Sequence, residues 1–418
     1  MTKNHIYVFL LAIALILTFR IFEFFPGMEL SREIWCIFGV GYFVFPYLFS
    51  KLVSEFRVSW FEIYVISLFV CVPLLGAIGA SAQFGQPIEY GLIKSRGIFI
   101  CVSALAIYRY FKLYDGMEFY IEKALIGVAW GTLILYCGIN LVFDPSTYLD
   151  KYPVFVGDGM GDGDKFKLNT IFIVFGFFYY AFRGFRQRSI VDYLYSIAFL
   201  AYLIGVSGGR SLFVTVFITL IFFILRWGSV GRLIRLIPQL AVSSGLLLVM
   251  VFVVQEDFMM KFVTKLENSF TVVLTGETSG DSSADARIFE FLVAAPFILQ
   301  NTMLGSGVIS NQWNGGYEGV LGAYFYPSDI GLVGAVFNYG IIGVIFFSYQ
   351  FIFGLTFSKR LNRIGIHGPL IDALKVMLFY IALRSIFTGT FVFRPEVSLL
   401  FISVLGGIAL RARYRKPV

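Results

Sequence analysis

The chain has 418 residues, 58% of them hydrophobic and only 14% charged, and its mean hydropathy is +0.81. An ordinary soluble domain holds about 45–50% apolar residues, so this composition excludes a water-soluble globular fold and reads as an integral membrane protein. The formal charge of +7 is carried in small basic clusters between apolar stretches rather than in a continuous stripe, which excludes a nucleic-acid surface.

A membrane-crossing helix needs about 20 mostly apolar residues. In chain order the sequence predicts spans over 6–25, 34–53, 60–80, 97–114, 119–143, 169–182, 193–206, 211–226, 236–255, 329–354, 370–390 and 397–410. The expected architecture is all-α, a polytopic transmembrane bundle of about twelve helices forming a single membrane domain over 1–418. The first span opens like a secretory signal, with Lys3 ahead of Ile6 to Leu17, but Arg20 and Glu23 stand where a small-residue cleavage site belongs. It is therefore expected to stay as a helix. Cys36, Cys71, Cys101 and Cys137 fall in separate apolar runs with no disulfide or zinc spacing, as small buried hydrophobes do.

With the N-terminus inside, Lys51/Arg57, Arg109/Lys112, Arg183/Arg186/Arg188, Arg226/Arg232/Arg235, Lys359/Arg360/Arg363 and Arg411/Arg413/Arg415/Lys416 all fall on one side. Short cytoplasmic loops carry such an excess of basic residues, so both termini are expected in the cytoplasm. The opposite face receives the acidic loop 144–167 and a long segment, 256–328, between the ninth and tenth spans. That segment holds apolar stretches such as Phe289 to Leu299, which a linker would lack, so a partly helical outer cap is expected. The spans show no repeat of one half in the other, contrary to a transporter of duplicated halves.

Charges in or beside spans are costly and mark function by default. Arg210 follows Ser207-Gly208-Gly209 in a tight hairpin between two spans of about 16 residues, too short for a ~30 Å apolar core. The turn is expected to present backbone N–H groups and a guanidinium at phosphate depth; the plainer alternative is an arginine snorkelling to headgroups. Arg287 stands three residues before Glu290, a spacing that suits either a surface salt bridge or a binding face. Arg384 lies deep in the eleventh span and Arg394 in the outer loop that follows, ahead of Pro395-Glu396; they form a basic wall, or Arg394 pairs with Glu396. The two histidines, His5 and His367, sit on the inner side, so an outer-face base must come from Glu290, Glu318, Asp329 or Tyr317, Tyr324 and Tyr326. Asp329, at the mouth of the tenth span, is the best placed, with a helix cap as its structural alternative. The run Gly157-Asp158-Gly159-Met160-Gly161-Asp162-Gly163-Asp164 lacks EF-hand spacing and a closing glutamate, so it reads as a flexible acidic loop rather than a calcium site. Nothing resembles a nucleotide loop or a metal-ligand cluster, and no cofactor is expected.

Three pieces of the chain, in order, resemble the O-antigen polymerase and O-antigen ligase superfamily of membrane glycosyltransferases. They are Ser207-Gly208-Gly209-Arg210-Ser211 opening a span, Ala286-Arg287 followed by Pro296 and Gly305-Ser306-Gly307 in the long outer segment, and Tyr339-Gly340-Ile341-Ile342-Gly343 in the next span. The resemblance implies a GT-C-like bundle in a bacterial inner membrane and a metal-independent glycosyltransferase acting at the periplasmic face. Its substrate would be an oligosaccharide on undecaprenyl pyrophosphate, with membrane lipids and a chain-length regulator protein as further partners. Arg210 and Arg287 would hold the donor pyrophosphate, a role that suits planar guanidinium groups. Ser207, Gly209, Glu290, Arg384, Arg394 and Tyr326 would line the substrate. Ligases of the superfamily carry a histidine about a dozen residues before the Gly-Ile-Ile-Gly stretch, where this chain has Ser328-Asp329. Polymerase is thus the favoured reading, with Asp329 in place of the histidine; ligase and lipid-linked oligosaccharide flippase are the alternatives.

Overall fold

The computed structural model describes residues 3–19, 21, 58–113, 116–148, 156–158, 164–166, 168–207, 210–227, 282–322 and 324–414. The expected spans 34–53 and 236–255 lie outside them. In a bilayer each backbone polar group must be satisfied within the protein, which leaves helices as the natural use of long apolar runs. The regular secondary structure of the described chain is helical apart from one short hairpin. In order, the helices are α1 (Lys3–Thr18), α2 (Trp60–Phe84), α3 (Ile88–Lys94), α4 (Val102–Leu113), α5 (Met117–Val142), α6 (Ile171–Gln187), α7 (Ile190–Gly205), α8 (Arg210–Trp227), α9 (Ser282–Gln300), α10 (Gly316–Leu321), α11 (Gly331–Arg363), α12 (Pro369–Thr388), α13 (Thr390–Phe393) and α14 (Pro395–Tyr414). A 3-10 segment, Ser95–Cys101, joins α3 to α4, so the fourth apolar stretch runs from Ile88 to Phe111 rather than starting at Gly97. Strands β1 (Val156–Asp158) and β2 (Asp164–Phe166) pair antiparallel in the acidic loop, with Asp158 opposite Asp164. Among the described residues five helices are long and apolar enough to cross a membrane.

The described chain divides into two units, one of 1–121, 286–367 and 381–418, the other of 122–285 and 368–380. In the second unit, α6 packs along α7. α6 is buried nearly all round, Ile171 to Tyr180 without a break, as a helix enclosed by neighbours must be apolar on every face. Its polar groups are tied locally: Ser196 donates to the Phe177 carbonyl at 3.1 Å and Trp130 Nε1 to Tyr180 Oη at 2.7 Å. At the opposite end Arg183 meets Asp192 at 3.4 Å and Arg186 bridges to Asp372.

In the first unit α14 is central: 94% of its apolar window is buried, against α4 and α11. α2 starts in a capping box, where Ser59 N donates to Glu62 Oε2 at 2.7 Å and Glu62 N donates back to Ser59 Oγ at 3.3 Å, satisfying backbone donors the first turn leaves open. Glu62 Oε1 also accepts from Arg109 Nε at 2.5 Å, so a cap in one helix holds the buried arginine of another.

α11 differs from the continuous span the sequence predicts. It breaks at Gly340 (φ 64°, ψ −177°), and the break is filled by chain from residues 302–308. In an unbroken helix the carbonyls of Phe337 and Asn338 would accept from the N–H groups four residues on. Here Phe337 O accepts from Ser306 N at 2.6 Å and Asn338 O from Gly307 N at 3.0 Å. The two released donors turn back on the same segment: Ile341 N reaches Thr302 O at 2.9 Å and Ile342 N reaches Met303 O at 3.2 Å. Two helical rungs are thus exchanged for four bonds to an inserted segment, which satisfies the backbone groups that the missing rungs release. The insert is anchored on its other side to α2, with Val308 N on Gly76 O at 2.9 Å. Gln86 completes the anchor: its Nε2 donates to Val308 O at 3.1 Å and its Oε1 accepts from Ser310 N at 2.7 Å.

Candidate functional site

The clasp just described fixes what surrounds it. α9 enters it and α10 and the turn 324–330 follow it, so the segment between α9 and α11 is pinned to a helix of membrane length. Ala294 on α9 forms a small core with Phe325 and Phe337, flanked by Phe84, Phe297 and Tyr317. Tyr317 ties this core to the clasp: its hydroxyl accepts from Ile309 N at 3.3 Å and donates to Asn338 Oδ1 at 3.0 Å. Burial raises the Tyr317 phenol above its ordinary range, so it stays protonated.

On this frame α9 offers Arg287 to solvent and, one turn on, turns Glu290 inward to 1% exposure. The surface salt bridge that the spacing allowed is not what Glu290 makes. Its Oε1 accepts from the backbone N–H of Tyr326 at 3.0 Å, while Oε2 is buried with no hydrogen-bond partner among the described residues. Burial raises its pKa from 4.5 to about 7; the nearby Asp329 carboxylate adds to the rise, and the Tyr326 N–H and Arg287 oppose it. Tyr324 and Tyr326 are 55% and 51% exposed, with ring centroids 4.9 Å apart. Asp329 is exposed in the same turn, its N–H on Tyr326 O at 2.9 Å. It does not cap α11: the residue at that position is Ile330, with no side-chain cap bond. Burial raises the Tyr324 phenol above its ordinary range, and Asp329, Tyr326, Glu290 and Glu318 raise it further.

The sequence-predicted residues Arg287, Glu290, Tyr326 and Asp329 are therefore brought together. The end of α12 closes on the same turn, because a Cβ on Gly331 would lie 2.2 Å from Ile386 O; Arg384 stands two residues earlier, half-buried. Arg394 sits at the α13–α14 junction, its N–H on Thr390 O at 2.8 Å and its carbonyl accepting from Val397 N at 3.1 Å. Ser207 and Arg210 belong to the second unit: Ser207 N closes α7 on Tyr202 O at 3.0 Å, and Arg210 is the first residue of α8. Gly209 lies outside the described residues. Asn338, 3% exposed, is the supporting residue the sequence reading passed over; its signal was a polar side chain inside an apolar span.

The raised Glu290 carboxyl makes a testable statement about stability. Between pH 4.5 and about 7 the folded protein holds a proton there that the unfolded chain releases, so stability falls as pH rises through that window. Glu290→Gln keeps an acceptor for Tyr326 N–H and never ionises. The variant is expected to melt close to the wild type at pH 4 and above it at pH 8, by up to about 3 kcal/mol. Equal melting differences at both pH values, measured in one detergent, would show that Glu290 ionises without strain.

No protein-family model matches the chain, and no curated protein matches its sequence. What fold and site define is a helical membrane protein in which the segment between α9 and α11 is clasped into a broken helix of span length. In that segment an arginine, a buried carboxyl group, an exposed aspartate and an exposed tyrosine pair are set together.

Proposed function

We propose that the chain is a glycosyltransferase of a bacterial inner membrane that polymerises lipid-linked repeat units at the periplasmic face, moving a growing glycan from undecaprenyl pyrophosphate to the next unit. The observation that carries this reading is the cluster on α9 and the turn before α11, where a guanidinium, carboxylates and exposed aromatic rings stand together at the mouth of a membrane-length helix. A sugar presents hydroxyls and an apolar C–H face, and a diphosphate presents anionic oxygens; the cluster offers a group for each. The acceptor hydroxyl oxygen attacks the anomeric carbon of the donor. The bond from that carbon to the pyrophosphate oxygen breaks, and its electron pair leaves with the lipid pyrophosphate. Asp329, exposed in the turn, takes the hydroxyl proton. Arg287 is assigned to the charge that grows on the leaving group, and the resemblance gives Arg210 the same role. The basic clusters between spans support cytoplasmic termini.

Cells lacking the protein are expected to accumulate single repeat units on the lipid carrier in the outer leaflet, or single units on the final acceptor. Long chains left on the carrier would indicate a ligase instead. Repeat units held at the inner leaflet would indicate a flippase.

A further inference from the structure

Two features of the cluster take no part in the bond making and breaking above. The first is the tyrosine pair. Tyr324 and Tyr326 are each about half exposed, with rings 4.9 Å apart at 60°, on a turn tethered through the Tyr326 N–H to Glu290, so neither is filling the core. Beside them stand Glu318 and Asp329, both exposed. The second is Glu290, which fastens that turn to α9 through Tyr326 N–H and leaves its other oxygen buried and unmatched among the described residues. A buried, half-satisfied carboxyl group in a native structure calls for a functional reason.

We infer that Tyr324 and Tyr326, flanked by Glu318 and Asp329, form a subsite for a pyranose ring of the acceptor, and that Glu290 is its positioning residue, holding the turn through the backbone of Tyr326. The inference rests on the reading of the chain as a glycosyltransferase and adds where the acceptor sugar lies. Fixed aromatic rings offer large contact area at little cost in side-chain entropy, and carboxylates accept hydrogen bonds from sugar hydroxyls. Charge also favours a neutral ligand here. Arg287 is the cation acting on Glu290, against the carboxylate of Asp329, and Glu318 and Asp329 both act on Tyr324. An anionic phosphate is poorly served over the tyrosines themselves. Glu290 holds the turn best when it is protonated, because its ionised form would be a buried charge facing Asp329, with Arg287 and the Tyr326 N–H as counterweights. Saccharide binding is therefore strongest below pH 7 and weakens as pH rises through that value.

The test uses the full-length protein in proteoliposomes and, as probe, the oligosaccharide released by mild acid from the lipid-linked units that accumulate in cells lacking the protein. The expected result is binding to the wild type that drops about tenfold in Tyr324→Ala and Tyr326→Ala and survives in the Phe variants, which keep the rings. Glu290→Gln is expected to bind as the wild type does at pH 6 and to hold that affinity at pH 8.5, where the wild type weakens; Glu290→Ala weakens at both. In transfer assays the alanine variants raise the acceptor KM and leave kcat close to wild type. Unchanged oligosaccharide affinity in the double Tyr→Ala variant overturns the subsite, as does loss of contact with brominated lipids in that variant, which would make the pair a membrane-interface anchor. A folded Glu290→Gln with no transfer at any pH overturns the positioning role in favour of proton transfer. Wild-type protein that binds the oligosaccharide but transfers nothing refutes the proposed reaction and leaves the subsite standing. Wild-type transfer with unaltered KM in the tyrosine variants does the reverse.

Discussion

Arg210→Ala and Arg287→Ala are each expected to lower glycan transfer by about 10²- to 10³-fold, the usual cost of removing one group that meets charge developing in a transition state. Both changes should leave folded protein in the membrane. Arg287 is exposed on α9, so its removal opens no cavity, and Arg210 is the first residue of α8, a position where alanine favours the helix. Lysine keeps the charge but loses the planar two-point grip on phosphate oxygens, so Arg210→Lys should remain strongly impaired. Asp329→Asn separates another role. The side chain does not cap α11, so a loss of transfer with unchanged melting would assign it to the acceptor proton, and wild-type chain lengths would remove it from the mechanism. Normal polymerisation by both arginine-to-alanine variants in purified proteoliposomes would dismiss the pyrophosphate role for these residues.

Gly307→Ala is expected to prevent folding of the first unit, although the residue carries no side chain that could take part in the chemistry. Gly307 has φ +87°, and a Cβ there would lie 1.9 Å from Ala80 N and 2.5 Å from Gly76 O. Both obstacles are backbone of α2, which cannot move aside without dismantling the helix. The clasp would lose its seat: Val308 N on Gly76 O, Gly307 N on Asn338 O, and with them the bonds that repair the break in α11. The loss should exceed about 4 kcal/mol, a large share of the stability of a typical protein. Gly85→Ala provides the control, since Gly85 also has positive φ (+75°) but nothing within 4 Å of its would-be Cβ; it should cost only about 1–2 kcal/mol of backbone strain. Size-exclusion profiles in detergent would read both. A monodisperse, normally melting Gly307→Ala would mean that residues 302–308 do not thread the break in α11.

The helices were legible in the sequence because what specifies them is local. A run of apolar residues of span length needs no knowledge of its neighbours to become a helix in a bilayer, and α2, α5 and α14 fall within a few residues of the expected bounds. Arg287 and Glu290 were legible as a pair for the same reason: three residues on a helix place two side chains about one turn apart. Their fates were not. Whether Glu290 lies on the surface or beneath the turn depends on where residues 324–330 pack, and that follows from the clasp, not from the sequence of α9. The break in α11 was hidden because its signal is divided between Gly305-Ser306-Gly307 and Asn338-Tyr339-Gly340, each unremarkable alone. Sequence by itself determined which segments avoid water and which charges must be accounted for, since hydropathy and helix periodicity are properties of neighbouring residues. Tertiary structure alone decided which of those charges was buried and how the broken span was repaired. Both depend on backbone N–H groups meeting acceptors roughly thirty to forty residues away, and backbone groups are the same in every sequence.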